Sequence, residues 1–193
     1  SFNGCFNEMS YFNGLQSLET AEYLTERIDK LGGPESYNHF AVGWAHALNT
    51  PYQWTKQVAS HFGGTRNGTI VHWPKGIQAK GELRTHFAHV IDVAPTILEA
   101  AGIPEPVSVD GIQQDPIDGV SMLKTFNDAK APEAHETQYF EVMGNRAIYH
   151  KGWTAVTKHY TPWIPNAKRA LDDDVWELYD TTKDWTQSRD LSK

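Results

Sequence analysis

His89-Val90-Ile91-Asp92-Val93-Ala94-Pro95-Thr96-Ile97-Leu98-Glu99-Ala100-Ala101-Gly102 is the stretch that decides the fold class. Val90, Ala94, Ile97, Leu98 and Ala101 recur at helical spacing, so the pattern predicts a helix with one buried stripe. Asp92 stands where an N-cap belongs, Pro95 falls in the tolerant first turn, and Gly102 supplies the C-terminal stop. On both sides of this helix the period changes. Upstream, Thr69-Ile70-Val71-His72-Trp73 is a β-prone run closed by Pro74-Lys75-Gly76, which reads as a strand ended by a turn. Gly63-Gly64 just before it permits a close backbone approach. Downstream, residues 137–142, 146–150 and 153–158 read as three strands separated by turns at Met143-Gly144-Asn145 and Lys151-Gly152. Val175-Trp176-Glu177-Leu178-Tyr179-Asp180 alternates as a fourth strand, which predicts an antiparallel meander. Helix and strand patterns in one chain place it in the α/β class.

The remaining segments carry weaker patterns. Residues 1–16 repeat Phe-Asn among glycines and read as a surface loop that packs its aromatics. Leu18, Ala21, Leu24, Ile28 and Leu31 predict an amphipathic helix stopped by Gly32-Gly33-Pro34. Residues 36–56 lack a clean period and read as an irregular connection approaching a site. The Pro, Gly and Asp of residues 103–132 predict a long loop with a short helical piece near residues 120–126.

Composition narrows the function classes. With 39% hydrophobic residues and seven tryptophans, the chain has the apolar surface that folding requires. A net charge of −7 offers no basic field for nucleic acid, and no apolar run is long enough to span a bilayer. Cys5 is the only cysteine, which excludes an internal disulfide and a Cys-rich zinc site. The chain opens on Ser1 without a secretory leader, which predicts a truncated or processed sequence.

Four segments, in order, resemble the formylglycine-dependent sulfatases of the alkaline-phosphatase superfamily. Lys56-Gln57-Val58-Ala59-Ser60-His61-Phe62-Gly63-Gly64-Thr65-Arg66-Asn67, running into Thr69 to Trp73, is similar to that family's Lys…Gly-Gly-x-Arg segment. Residues 89–102 resemble its Asp-x-x-Pro-Thr helix, Asp118-Gly119-Val120-Ser121-Met122 its Asp-Gly-x-Ser turn, and Trp176-Glu177-Leu178-Tyr179-Asp180 its C-terminal strand. The wording within these segments is similar to arylsulfatases. The resemblance implies two parts: residues 1–130 as the C-terminal part of an alkaline-phosphatase-like mixed-sheet sulfatase domain, and residues 131–193 as a small antiparallel sheet-and-helix subdomain. It implies an arylsulfatase that hydrolyses sulfate monoesters with Ca2+ or Mg2+ and a formylglycine nucleophile. The nucleophile motif and the cation ligands are expected upstream, in the missing N-terminal part of the same protein. Cys5 is followed by Phe6-Asn7-Glu8-Met9, without the Pro and Arg of that motif. This chain alone is therefore expected to be inactive. The family also favours a periplasmic or extracellular compartment.

Sulfate-ester hydrolysis moves charge onto the leaving oxygen, so fixed cations belong around the sulfonyl group. The resemblance assigns Lys56 to the sulfate and leaving-group contact, against the alternative of a solvated lysine. His61 is a candidate proton donor or second sulfate contact near Lys56, or else a packing histidine. Arg66 is expected on a carboxylate of the missing part. His72, His86 and His89 read as structural, and His39 and His46 lack companions for a metal site. The Asp172-Asp173-Asp174 run reads as a solvated turn. Two rivals stay open at this point: a phosphate or phosphonate ester hydrolase of the same superfamily, and a non-catalytic folding or binding module.

Overall fold

The computed structural model describes residues 5–6, 19–37, 42–164 and 169–193. The expected aromatic loop lies outside the described residues apart from 5–6, as do Leu18 and His39. What is described is a mixed helix and sheet fold, with helical segments first and small antiparallel sheets toward the C-terminus.

The predicted meander is present. Strands β3 (Thr137–Val142), β4 (Asn145–His150), β5 (Trp153–Thr157) and β6 (Glu177–Asp180) form one antiparallel sheet in that order. Met143 and Gly144 at φ 56° and 81°, and Lys151 and Gly152 at φ 45° and 86°, have the positive dihedrals of two-residue hairpin turns that match strand twist. Those turns set the register, with Val142 opposite Asn145 and His150 opposite Trp153. Alternation then puts Phe140, Ala147, Tyr149, Val156 and Tyr179 on one buried face. Val156 has no exposed surface, and burial of such a side chain contributes roughly 1.5–3 kcal/mol.

The predicted helix is α4 (Val93–Ala101), entered through a 3-10 turn at Val90–Asp92 and ended by Gly102 at φ 67°. Its burial differs from the expectation. Val90, Ile97 and Ala101 are exposed, while Asp92 and Thr96 are buried. Polar bonds explain this reversal. Asp92 does not cap α4; its carboxylate accepts the N–H of His89 at 2.7 Å and of Val120 at 2.9 Å, and faces His135 Nδ1 at 2.8 Å. Thr96 Oγ1 donates to Asp92 O and accepts Met122 N–H. The polar side of α4 is thus fastened to the 120–122 segment and to His135. The Met122 bond leads into α5 (Leu123–Asn127), the short helical piece expected there.

Four other expectations are corrected. The helix foreseen from Leu18 to Leu31 is only α1 (Ala21–Thr25), capped by the Thr20 hydroxyl on Tyr23 N–H, then a 3-10 turn at Ile28–Lys30. With no buried residue, neither piece has the packing that sustains a longer helix. The supposedly irregular stretch contains α2 (Val42–Asn49), stopped where Pro51 forbids continuation. The run Thr69 to Trp73 is not a strand: no partner strand pairs with it among the described residues, and Ile70 is 96% exposed. The loop at 103–132 also holds a missed hairpin, β1 (Ser108–Val109) with β2 (Ile112–Gln113), turned by Asp110-Gly111 at φ 50° and 81°.

Candidate functional site

Lys56 sits at the corner of a four-residue turn, Thr55 to Val58, closed by Val58 N–H to Thr55 O at 3.1 Å. Gln57 in this turn has φ 76°, and Trp54 ahead of it has φ 68°. Such dihedrals cost a non-glycine residue on the order of 1–2 kcal/mol, so surrounding contacts must hold them. Asn49, at the end of α2, donates Nδ2 to Trp54 O at 3.2 Å and Gly63 O at 2.8 Å. Gly63 N–H donates to Gln53 O at 2.9 Å. Gly63 and Gly64 lie in α3 (Phe62–Thr65), with its backbone pressed onto the turn. A Cβ on Gly63 would lie 2.1 Å from Trp54 O, and one on Gly64 2.1 Å from Val58 O. The paired glycines are therefore required by backbone contact beneath Lys56. Lys56 itself is exposed.

His61 belongs to the interior below that turn. Its side chain is 2% exposed, with Nδ1 2.9 Å from Ser60 Oγ and Nε2 3.1 Å from Glu177 Oε2. Burial lowers its pKa, and the charge and hydrogen bond of Glu177 only partly offset this. The neutral ring therefore donates Nε2–H to Glu177 and accepts the Ser60 hydroxyl at Nδ1. Ser60, His61 and Glu177 form a chain like that of a hydrolytic triad, but Ser60 is 1% exposed and open to no substrate. Tyr179 also donates to Glu177 Oε2, at 2.6 Å, and burial pushes its pKa up. The network ties the segment after Lys56 to β6. No hydrogen bond or ion pair joins His61 to Lys56 among the described residues.

Buried Gln187 adds a second tie. It accepts Phe62 N–H at 2.8 Å, donates to Thr154 Oγ1 at 3.1 Å, and receives Gln53 Nε2 at its backbone oxygen. Beside the turn, Lys158 Nζ stands 4.3 Å from the Trp54 ring centroid, and the His46 ring stacks on Trp54 at 6.1 Å. Burial, then the charge of Arg169, lowers the Lys158 pKa. Sequence reasoning missed Gln187 and Lys158, since neither stands in a periodic or spaced motif.

The other named residues fall as follows. Arg66 lies over Tyr52 and Phe62, at 5.2 and 5.3 Å from their ring centroids, with no carboxylate partner among the described residues. His72 is exposed, His86 Nε2 donates to Ala131 O at 2.7 Å, and burial lowers the His89 pKa. The aspartate run is a correction. Asp172 and Asp173 lie exposed in a 3-10 turn, but the Asp174 side chain is 1% exposed and meets His159, Arg169 and Arg146. Burial alone would raise its pKa, yet the bonds from His159 and Arg169 and the charges of His159 and Arg146 hold it below the usual value. No group of three or more ligating side chains stands close enough to hold a metal among the described residues. Cys5 is buried, and its thiol pKa is raised by that burial and by the Glu19 charge. The described residues therefore bring no set of ligands together for a divalent cation. No helix among them is long and apolar enough to cross a membrane.

Over residues 53–193 the sequence matches the family described as N-sulphoglucosamine sulphohydrolase, C-terminal. The chain belongs to this family of sulfatase C-terminal portions. An uncharacterized sulfatase of Schizosaccharomyces pombe is 28% identical over 182 residues, covering 93% of this chain and 31% of that protein. An arylsulfatase of Klebsiella aerogenes is 29% identical over 116 residues, covering 60% of this chain and 24% of that protein. A solved sulfatase structure, described under the metabolism of multiple glycosaminoglycans by Bacteroides thetaiotaomicron, matches at 21% identity with a TM-score of 0.49. That match covers 70% of this chain and 27% of the other. The chain thus spans about a third or less of the relatives it matches.

Proposed function

We propose that this chain is the C-terminal share of an arylsulfatase that hydrolyses a sulfate monoester to an alcohol and sulfate, and that Lys56 is its contribution to the chemistry. The observation that carries this is an exposed lysine at the corner of a turn that holds Gln57 at φ 76° and follows Trp54 at φ 68°, with Asn49 and the paired glycines packed against the backbone on either side of it. An ammonium fixed there would meet a sulfonyl oxygen and the leaving oxygen, and its attraction grows as negative charge develops on them. The cation and formylglycine that serve the family would come from another part of the full-length protein, so the chain by itself would not turn over a sulfate ester. His61 contributes by fastening the turn's supporting segment to β6. In this reading residues 1–130 complete the catalytic domain and residues 131–193 form the small subdomain beside it.

The test is Lys56→Ala in the full-length enzyme. Turnover of an aryl sulfate should fall on the order of 10²–10³, in kcat more than in KM, the usual loss for one preorganised contact to developing charge. Lys56→Arg should restore little, because a planar fork does not put a point charge where the ammonium sat. Lys75→Ala, in the exposed turn after Trp73, should leave the rate unchanged. Equal rates for folded Lys56→Ala and Lys75→Ala would remove Lys56 from the site.

A further inference from the structure

We infer that Asn145 is the positioning residue for Lys56, an inference that rests on Lys56 being the sulfate contact. Asn145 opens β4 directly after the Met143-Gly144 turn and has no exposed surface. Strand alternation places it on the face of Ala147 and Tyr149, which is the buried face of the sheet. From there Nδ2 donates to Gln57 O at 3.2 Å, across 88 residues of sequence. Oδ1 accepts the N–H of His159 at 3.0 Å and of Tyr160 at 3.4 Å. This network fixes the amide's orientation. Reversed, its NH2 would face two N–H donors and its oxygen would face a carbonyl.

The consequence lies in one peptide plane. The Gln57 carbonyl is held by Asn145, and the N–H at the other end of that peptide, from Val58, is held by Thr55 O. The plane is therefore clamped on both edges, immediately after the residue with φ 76°. Gln57 without that clamp would relax toward an ordinary negative φ, and the Lys56 corner would swing with it. Asn49 and the glycines secure residues 53, 54 and 58. Among the described residues Asn145 alone secures the Gln57 carbonyl with a side chain. The hairpin of the small sheet would thus set the position of a charge used in the chemistry. A positioning error near 1 Å typically costs about 10²-fold in rate.

The experiment is a double-mutant cycle in the full-length enzyme, with Asn145→Ser, Lys56→Ala and both together, read as kcat and KM for an aryl sulfate beside thermal unfolding. Asn145→Ser should lower kcat by about 10- to 100-fold with KM within about twofold. In the Lys56→Ala background the same substitution should change kcat by less than about twofold, since a group that acts only through Lys56 has nothing left to act on. Equal losses in both backgrounds would show a merely structural role and overturn the inference. An unchanged kcat in Asn145→Ser would overturn it too, while leaving Lys56 in place. If Lys56→Ala is itself silent, the reading of Lys56 fails first and the inference with it. Should Asn145→Ser not fold, Asn145→Asp is read by the same outcomes, because it keeps the acceptor for His159 and Tyr160 and sets an oxygen in place of the donor to Gln57.

Discussion

The segments 49–65, 133–164 and 169–191 close on one another, whereas residues 66–122 hold much of their apolar surface outward. In the first set Val58, Ala147 and Val156 are buried, and Asn145, His61 and Gln187 bond across it. In the second, Ile70, Leu83, Val90, Ile97 and Ile112 are exposed although Ile70, Val90 and Ile97 stand in β-prone or helical patterns. Both regions carry apolar periodicity. What separates them is where the partner lies. Each strand from β3 to β5 meets its neighbour after a two-residue turn, so the chain supplies its own hydrogen-bonding edge and facing side chains. The run from Thr69 to Trp73 has no such neighbour among the described residues, and α4 is bonded to the chain through Asp92 and Thr96 while Val93 and Ile97 stay exposed.

The largest expected effect breaks the closed region at its tightest contact. In Gly64→Ala the new Cβ would stand 2.1 Å from Val58 O, and neither can rotate away, because the Cβ position is fixed by its backbone and the oxygen is a backbone atom. Overpacking of this kind costs about 3 kcal/mol. The urea midpoint of this chain should fall accordingly. A Gly64→Ala midpoint equal to wild type would mean that α3 does not rest on the Lys56 turn, and the closed region would lose its floor.

A smaller effect should come from acid, through the histidine that links α3 to β6. Burial holds the folded-state pKa of His61 below the unfolded value of about 6.5. The unfolded chain therefore binds more protons, so this stability is present above that value and is lost as pH falls through the folded pKa. His89 is depressed for the same reason and adds the same sign. Urea midpoints should decline from about pH 6.5 toward pH 5, a window above the ordinary carboxylate range. In His61→Gln, which keeps a donor for Glu177, the slope over that window should be shallower. An unaltered slope would place the acid sensitivity elsewhere.

The same contrast governs what could be read from sequence. Met143-Gly144 and Lys151-Gly152 announced the hairpins because turn chemistry is local, and Gly102 announced the end of α4 for the same reason. The burial of α4 was not legible. It depends on Asp92 and Thr96 finding Val120, Met122 and His135, 26 to 43 residues away, and no period of 3.6 records such partners. Lys56 was reached only through the resemblance, which places a lysine ahead of Gly63-Gly64; the close backbone contacts of those glycines are what the sequence pattern itself encodes. Asn145 could not be found that way. It lies in a hairpin that reads as ordinary turn chemistry, and its bond to Gln57 exists only once the sheet has been laid against the turn. Asp174 was misread for a related reason, since a run of aspartates looks solvated until Arg146, Arg169 and His159 converge on one of them.

The smallest expected effect sharpens the comparison from its open side. Ile97 lies in the middle of α4, where a hydrophobic position would ordinarily be a core position and its loss would cost about 2–5 kcal/mol on truncation to alanine. Here its side chain is 61% exposed, so Ile97→Ser removes little buried surface. Serine and isoleucine have similar helix propensities, which leaves no second term of consequence. The urea midpoint of this chain should move by no more than about 0.5 kcal/mol in equivalent stability, the usual range for surface positions. Less association is expected as well, since the substitution interrupts an exposed run that includes Val90 and Val93 on the same segment. Light scattering across a concentration series would show it as a lower apparent mass for the variant. A loss of 2 kcal/mol or more in Ile97→Ser would mean that α4 buries its apolar stripe within this chain after all, and the division between the closed and open regions would not hold.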